Sequence, residues 1–190
     1  MRFFLTAKHW ILFILMFAIP SVIYILSISY SVLTENVVVM LNIFPLILIF
    51  SISLLFAWIW SVGNGLHQFT PAKTHLNNKR FRNLLVFAIG YLLILLISML
   101  ILFVFNYDTI FSFIGGAGIL VILPLHLFSM FCIFYALYYD ARTIRSIELK
   151  REPEASEYLV EMLLLWIWPI GIWILQPRIN AIYSGNKKTD

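Results

Sequence analysis

Cysteine is almost missing from this chain. Cys132 stands alone among 190 residues, which excludes an intrachain disulfide and a cysteine-based zinc site. It sits inside an apolar run and reads as a small buried hydrophobe. Charge is scarce too: 12% of the residues are charged, 62% are apolar, and the mean hydropathy is +0.95. A water-soluble domain is about a quarter charged. A chain this poor in polar side chains cannot turn its surface to water, so its solvent is lipid. Signatures of catalysis are lacking as well. There is no Gly-x-Ser-x-Gly, no His-Glu-x-x-His, no phosphate-cradling glycine loop and no rhomboid-like serine–histidine pair. No aspartate falls inside the apolar runs, which removes proteolysis by paired aspartates. The expectation is a protein that is not an enzyme and carries no cofactor. No metal is expected either, since His126, a single intramembrane histidine without neighbouring ligands, cannot hold one.

What is present is four long apolar runs, at residues 10–33, 37–62, 84–105 and 119–139. Each is long enough to cross a hydrocarbon core of about 30 Å, which takes roughly 20 helical residues. A spanning segment must satisfy its own backbone hydrogen bonds, so helices are predicted. The first run is too long for a signal peptide's apolar core and lacks a small-residue cleavage site after it, so it is read as a retained span. A fifth run, 162–175, is short and contains Pro169 and Gly171. Proline breaks or kinks a helix, and Trp166, Trp168 and Trp173 favour the headgroup level. It is read as interfacial or re-entrant. The expected fold class is all-α integral membrane: a four-helix transmembrane domain over 1–139, a cytoplasmic helical segment over 140–161, and a tryptophan-rich segment and tail over 162–190.

Placing the N-terminus in the cytoplasm puts all 13 basic residues inside. They are Arg2 and Lys8; Lys73, Lys79, Arg80 and Arg82; Arg142, Arg145, Lys150 and Arg151; and Arg178, Lys187 and Lys188. The outer loops then hold only Glu35 and Asp108. This positive-inside pattern predicts a multi-pass protein of a bacterial inner membrane with both termini cytoplasmic. The connection 63–83, with Gly63, Gly65 and Pro71, reads as mostly loop. The fourth helix is expected to run on past residue 139 until Pro153 stops it, and a new helix to begin at Glu154.

A faint internal repeat accompanies this layout. Pro45-Leu46-Ile47-Leu48 matches Pro124-Leu125-His126-Leu127, and an alanine, Ala57 or Ala136, follows each proline by twelve residues. Two helical hairpins in parallel repeat would produce it; so would chance in leucine-rich sequence.

The segment Pro169-Ile170-Gly171-Ile172-Trp173-Ile174-Leu175-Gln176-Pro177-Arg178-Ile179-Asn180 resembles the C-terminal signature of a group of uncharacterised small four-span bacterial membrane proteins. The resemblance runs from about Tyr135 onward. It implies no activity, only that the broken C-terminal segment is a definite structure.

Among residues that carry chemistry, His126 is the ionisable group deep inside a span, and such a residue marks a functional candidate. It is read either as a neutral histidine bonded to a carbonyl or to Ser51, Ser98 or Ser129, or as a pore-lining proton sensor. Lys73, Lys79, Arg80, Arg82, Arg142 and Arg145 form basic patches suited to anionic inner-leaflet headgroups. They suit equally a phosphate-bearing ligand such as a nucleotide or oligonucleotide. The carboxylates between Asp140 and Glu161, mixed with arginines, read as a solvated helix face. Trp58, Trp60, Trp166, Trp168 and Trp173 are expected as interfacial anchors. Two functions fit these features. One is a small homo-oligomeric channel gated from the cytoplasmic side. The other is a non-conducting scaffold that docks a protein partner on its cytoplasmic face through residues 148–158.

Overall fold

The computed structural model describes residues 2–72, 74–105 and 118–187, and every regular element among them is helical. A short α1 (Arg2–Thr6) leads into α2 (His9–Thr34). Then come α3 (Val37–Leu66), α4 (Asn78–Phe105), α5 (Gly118–Leu149), α6 (Ala155–Trp166) and α7 (Trp168–Lys187). Helices α2 to α5 are the four long and apolar enough to cross a membrane. The predicted outer loop 106–118, apart from Gly118, lies outside the described residues together with its Asp108, as do Lys73 and Lys188.

Prolines and caps explain where these helices bend and stop. Pro20 brings no N–H to its turn. The preceding turn, Ile14–Ala18, widens into a π-helix in which the Ile19 N–H reaches back five residues to the Ile14 carbonyl. Pro45 and Pro124 lie within α3 and α5, as membrane helices tolerate when neighbours re-satisfy the backbone. Glu35 adopts a left-handed conformation with φ 54° at the end of α2, and the Asn36 side chain caps α3 by accepting the Val38 N–H at 3.1 Å. Helix α5 runs unbroken past residue 139 to Leu149. After Pro153, Glu154 and Glu157 form a reciprocal capping box that starts α6. The helix expected to begin at Glu154 is therefore present, and the proline-associated break in the C-terminal segment falls at Ile167, between α6 and α7.

The connection between α3 and α4 is shorter than the loop expected over 63–83. Helix α3 continues through Gly63, Asn64 and Gly65 to Leu66, and a 3-10 turn follows at His67–Phe69. The Asn77 side chain caps α4 by accepting the Arg80 N–H at 2.9 Å. Asn78 Nδ2 donates to Asn64 Oδ1, also at 2.9 Å, and ties the two helix ends together.

Contacts of α7 with Phe4 and Ala7 bring the two ends of the described chain together, at the end of the bundle here termed the base. Burial is concentrated there. Leu12, Trp58, Leu66, Phe81, Tyr139, Ile144 and Leu175 are fully enclosed where α1, α6 and α7 fold under the spans. The far halves of the spans are different. Val32, Leu33, Ile94, Leu120 and Leu127 face outward, and much of what is buried there is small: Ser27, Ser31, Ser129 and Pro45. In lipid there is no hydrophobic drive between helices, so close contacts depend on small residues that let backbones approach.

Candidate functional site

The base holds two polar constellations of opposite kind. The first is fully connected. Gln176, completely buried on α7, accepts from the Trp58 indole N–H at 2.8 Å. Its Nε2 donates to the carbonyls of Phe4 and Ala7, at 2.7 and 3.1 Å, and to Asn180 Oδ1 at 2.9 Å. Asn180 Nδ2 donates again to the Ala7 carbonyl at 3.0 Å. A five-residue helix such as α1 leaves its last carbonyls without intrahelical partners, and these two amides supply them. Beside this network, Arg178 donates to Glu148 at 2.7 and 2.8 Å and to the buried Glu161 at 2.8 Å. Arg145 joins them through Glu148, at 2.9 Å. These bonds, that to Glu148 foremost, hold the Arg178 guanidinium above its usual range. Arg142 pairs with Glu152 and with the Tyr138 hydroxyl. Arg151 pairs with Glu157, and that bond holds the Glu157 carboxyl below the usual carboxylate range.

The second constellation is open. Asp140, on α5, is fully buried, and neither carboxyl oxygen has a hydrogen-bond partner among the described residues. Its Oδ1 lies against α3 at Gly63, where an added methyl would overlap both that oxygen and the Phe81 ring. Phe81 stacks on Tyr139 with ring centroids 4.3 Å apart, and Tyr139 shares a 2.8 Å hydrogen bond with His67. Thr143, one turn further along the same face, is buried with its hydroxyl unpartnered among the described residues.

These contacts correct two expectations. The carboxylates between Asp140 and Glu161 are not a solvated helix face: Asp140 and Glu161 are buried and Glu148 is bridged, because the α6–α7 hairpin folds back over the end of α5. Trp58 is no interfacial anchor but a buried donor to Gln176. Of the other tryptophans, Trp60 is half-buried beneath the Arg82 guanidinium, 5.7 Å from its ring, and Trp168 is half-buried. Trp166 and Trp173 are exposed, together with Leu163, Ile167 and Ile170 of the same hairpin.

Of the remaining candidate residues, Lys79, Arg80 and Arg82 lie at the start of α4, with Arg80 5.2 Å over the Tyr135 ring. Lys79, Arg80 and Arg82 are all exposed. Arg142 and Arg145 are already engaged by carboxylates of this chain. His126 is distant in sequence from these basic residues, on the far half of α5. It lies exposed on the surface of the chain, with Nδ1 3.5 Å from the Tyr91 hydroxyl of α4 instead of a serine. Tyr91 also reaches the Ile122 carbonyl at 3.4 Å.

Asp140, Gly63 and Gln176 were not among the expected site residues. A signal for Asp140 exists in the helical register. Cys132, Ala136, Tyr139, Asp140 and Thr143 recur at three- and four-residue spacing and are all fully buried, whereas Arg142 and Arg145 fall off that stripe.

No family model, no curated protein and no solved structure matches this chain.

Proposed function

We propose that the protein is an oligomeric membrane pore whose wall is the α4–α5 face, with the base on the cytoplasmic side of a bacterial inner membrane. The observation that carries this reading is the Tyr91–His126 pair, polar and in contact at mid-span, with His126 exposed. Polar ionisable groups at that depth are costly against lipid and face a bundle interior or water. Ser98, two turns from Tyr91 on α4, extends a polar stripe along the same helix. The packed base blocks a path through the centre of one protomer, so conduction runs between protomers around a shared axis. The described basic residues at the base, Lys79, Arg80, Arg82, Arg142, Arg145 and Arg178 among them, orient it by the positive-inside pattern. Lys79, Arg80 and Arg82 at the start of α4 are the site for a phosphate-bearing gating ligand or anionic headgroups.

The test is ion flux through liposomes carrying the protein, with its oligomeric state measured in the same preparation. His126→Leu is expected to cut flux while preserving the oligomer. The His126→Cys variant, in a Cys132→Ala background, is expected to cross-link between protomers. A monomer without flux overturns the pore and favours the scaffold that docks a protein partner at the base.

A further inference from the structure

We infer that Asp140 is a proton-binding site: the neutral acid locks α5 against α3 at Gly63, and the ionised carboxylate drives the two helices apart. This goes beyond the pore reading and does not depend on it.

The argument begins with desolvation. A carboxylate stripped of water without a compensating partner is among the costliest groups to bury, and in practice it takes up a proton instead. Asp140 is fully buried with both oxygens unpartnered among the described residues. Glu161, the other buried carboxyl at the base, is held by Arg178 at 2.8 Å and Arg145 at 3.6 Å. One acid at the base is therefore built to stay charged, and the other is not.

The groups facing Asp140 offer no counter-charge among the described residues. From α3 and its 3-10 turn, His67 is occupied by the Tyr139 hydroxyl. From α4, Arg80 lies over Tyr135, Arg82 lies over Trp60, and Lys79 stands exposed at the helix start. From α6 and α7, Glu157 is bound by Arg151, and Glu161 and Arg178 bind each other. On α5 itself, Arg142 goes to Glu152 and Tyr138, and Arg145 to Glu148 and Glu161. Ionisation releases one proton to the aqueous side of the base and leaves a carboxylate that must be hydrated. Water reaches it only if α5 moves off α3. Gly63 fits this hinge, because its missing side chain is what allows the carboxyl to lie on the α3 backbone.

Two readouts on the full-length protein test the inference. Infrared spectroscopy of the wild type near neutral pH is expected to show a protonated carboxylic acid C=O band that Asp140→Asn removes. Asp140→Ala, smaller and equally unable to titrate, replaces the amide variant in both readouts if the latter does not insert. In a Cys132→Ala background, Thr143→Cys then places a thiol one turn from Asp140. Its labelling rate with Asp140 present, divided by the rate in the Asp140→Asn variant at the same pH, cancels ionisation of the thiol itself. That ratio is expected to be near one at low pH and to climb by about tenfold per pH unit once the proton leaves. Absence of the acid band near neutral pH, or a ratio that stays at one throughout, overturns the inference.

Discussion

The base and the far half of this protein are built from the same apolar residues but held by different forces. At the base, Leu175, Trp58 and Ile172 are enclosed by α1, α3 and α7, and buried amides finish the backbone of α1. In the far half, Leu127, Val32 and Leu120 point outward from the chain. The reason lies in the solvent. Water at the base rewards burial of apolar surface, whereas lipid is as apolar as leucine and rewards only close packing and hydrogen bonding. A rigid base and a compliant far half follow from one chain meeting two solvents.

The sharpest way to break this comparison is to make the same truncation in both regions. Leu175→Ala removes enclosed side-chain atoms and is expected to cost about 2–5 kcal/mol. Leu127→Ala, on an exposed far-half face, is expected to stay within about 0.5 kcal/mol. Reversible denaturation in mixed micelles measures both. Similar losses at the two positions would mean that the far half is covered as tightly as the base.

Gly171 comes next. A methyl there would run into the Leu164 carbonyl across the tight α6–α7 crossing. Backbone cannot yield as a flexible side-chain tip does, so Gly171→Ala is expected near the upper end of overpacking costs, about 3 kcal/mol. The same denaturation assay reads it; Gly90→Ala, in α4 with open space around its position, is the matching control and should be neutral or better.

Gln176→Leu should follow at about 2 kcal/mol, because it leaves the Trp58 indole N–H and the Phe4 carbonyl without their partner. Loss of protection at α1 in hydrogen exchange is the specific readout. An unchanged α1 would show that water replaces the amide.

These residues show how far the sequence could be read. The spans were legible because lipid imposes length and excludes charge, a rule each segment obeys on its own. The start of α6 was legible because Pro153, Glu154 and Glu157 act within one turn. The base was not, because its contacts join distant residues. Gln176 meets Phe4 and Trp58, and Arg178 meets Glu148. Asp140 and Glu161 look solvated beside their arginines until α6–α7 folds over α5. His126 found Tyr91, on a neighbouring helix, a partner no local pattern reveals. In the C-terminal segment, Gly171, Gln176, Arg178 and Asn180 are the residues that fasten the hairpin to the base.

The smallest effect concerns the rim of the base, where water is the solvent on every side. Glu157 is held by Arg151 at 2.5 Å and accepts the Glu154 backbone N–H at 2.8 Å. Both contacts favour its charged form and set its folded value below the ordinary carboxylate range. The sign follows from linkage. A carboxyl lowered on folding contributes stability above its unfolded value, about 4.3, and loses that contribution as pH falls through its own lower value. Helix α6 is therefore expected to lose hydrogen-exchange protection in its first turn on acidification below that range. Glu157→Gln should remove this acid sensitivity while α6 still forms at neutral pH, because the glutamine can still accept the Glu154 N–H. Exposed pairs are screened by salt, so molar salt should shrink the effect. The Arg178–Glu161 pair, with its carboxylate buried, should resist the same salt. If salt weakened both pairs alike, the enclosed base would be as wet as its rim, and the division between the two regions would fail.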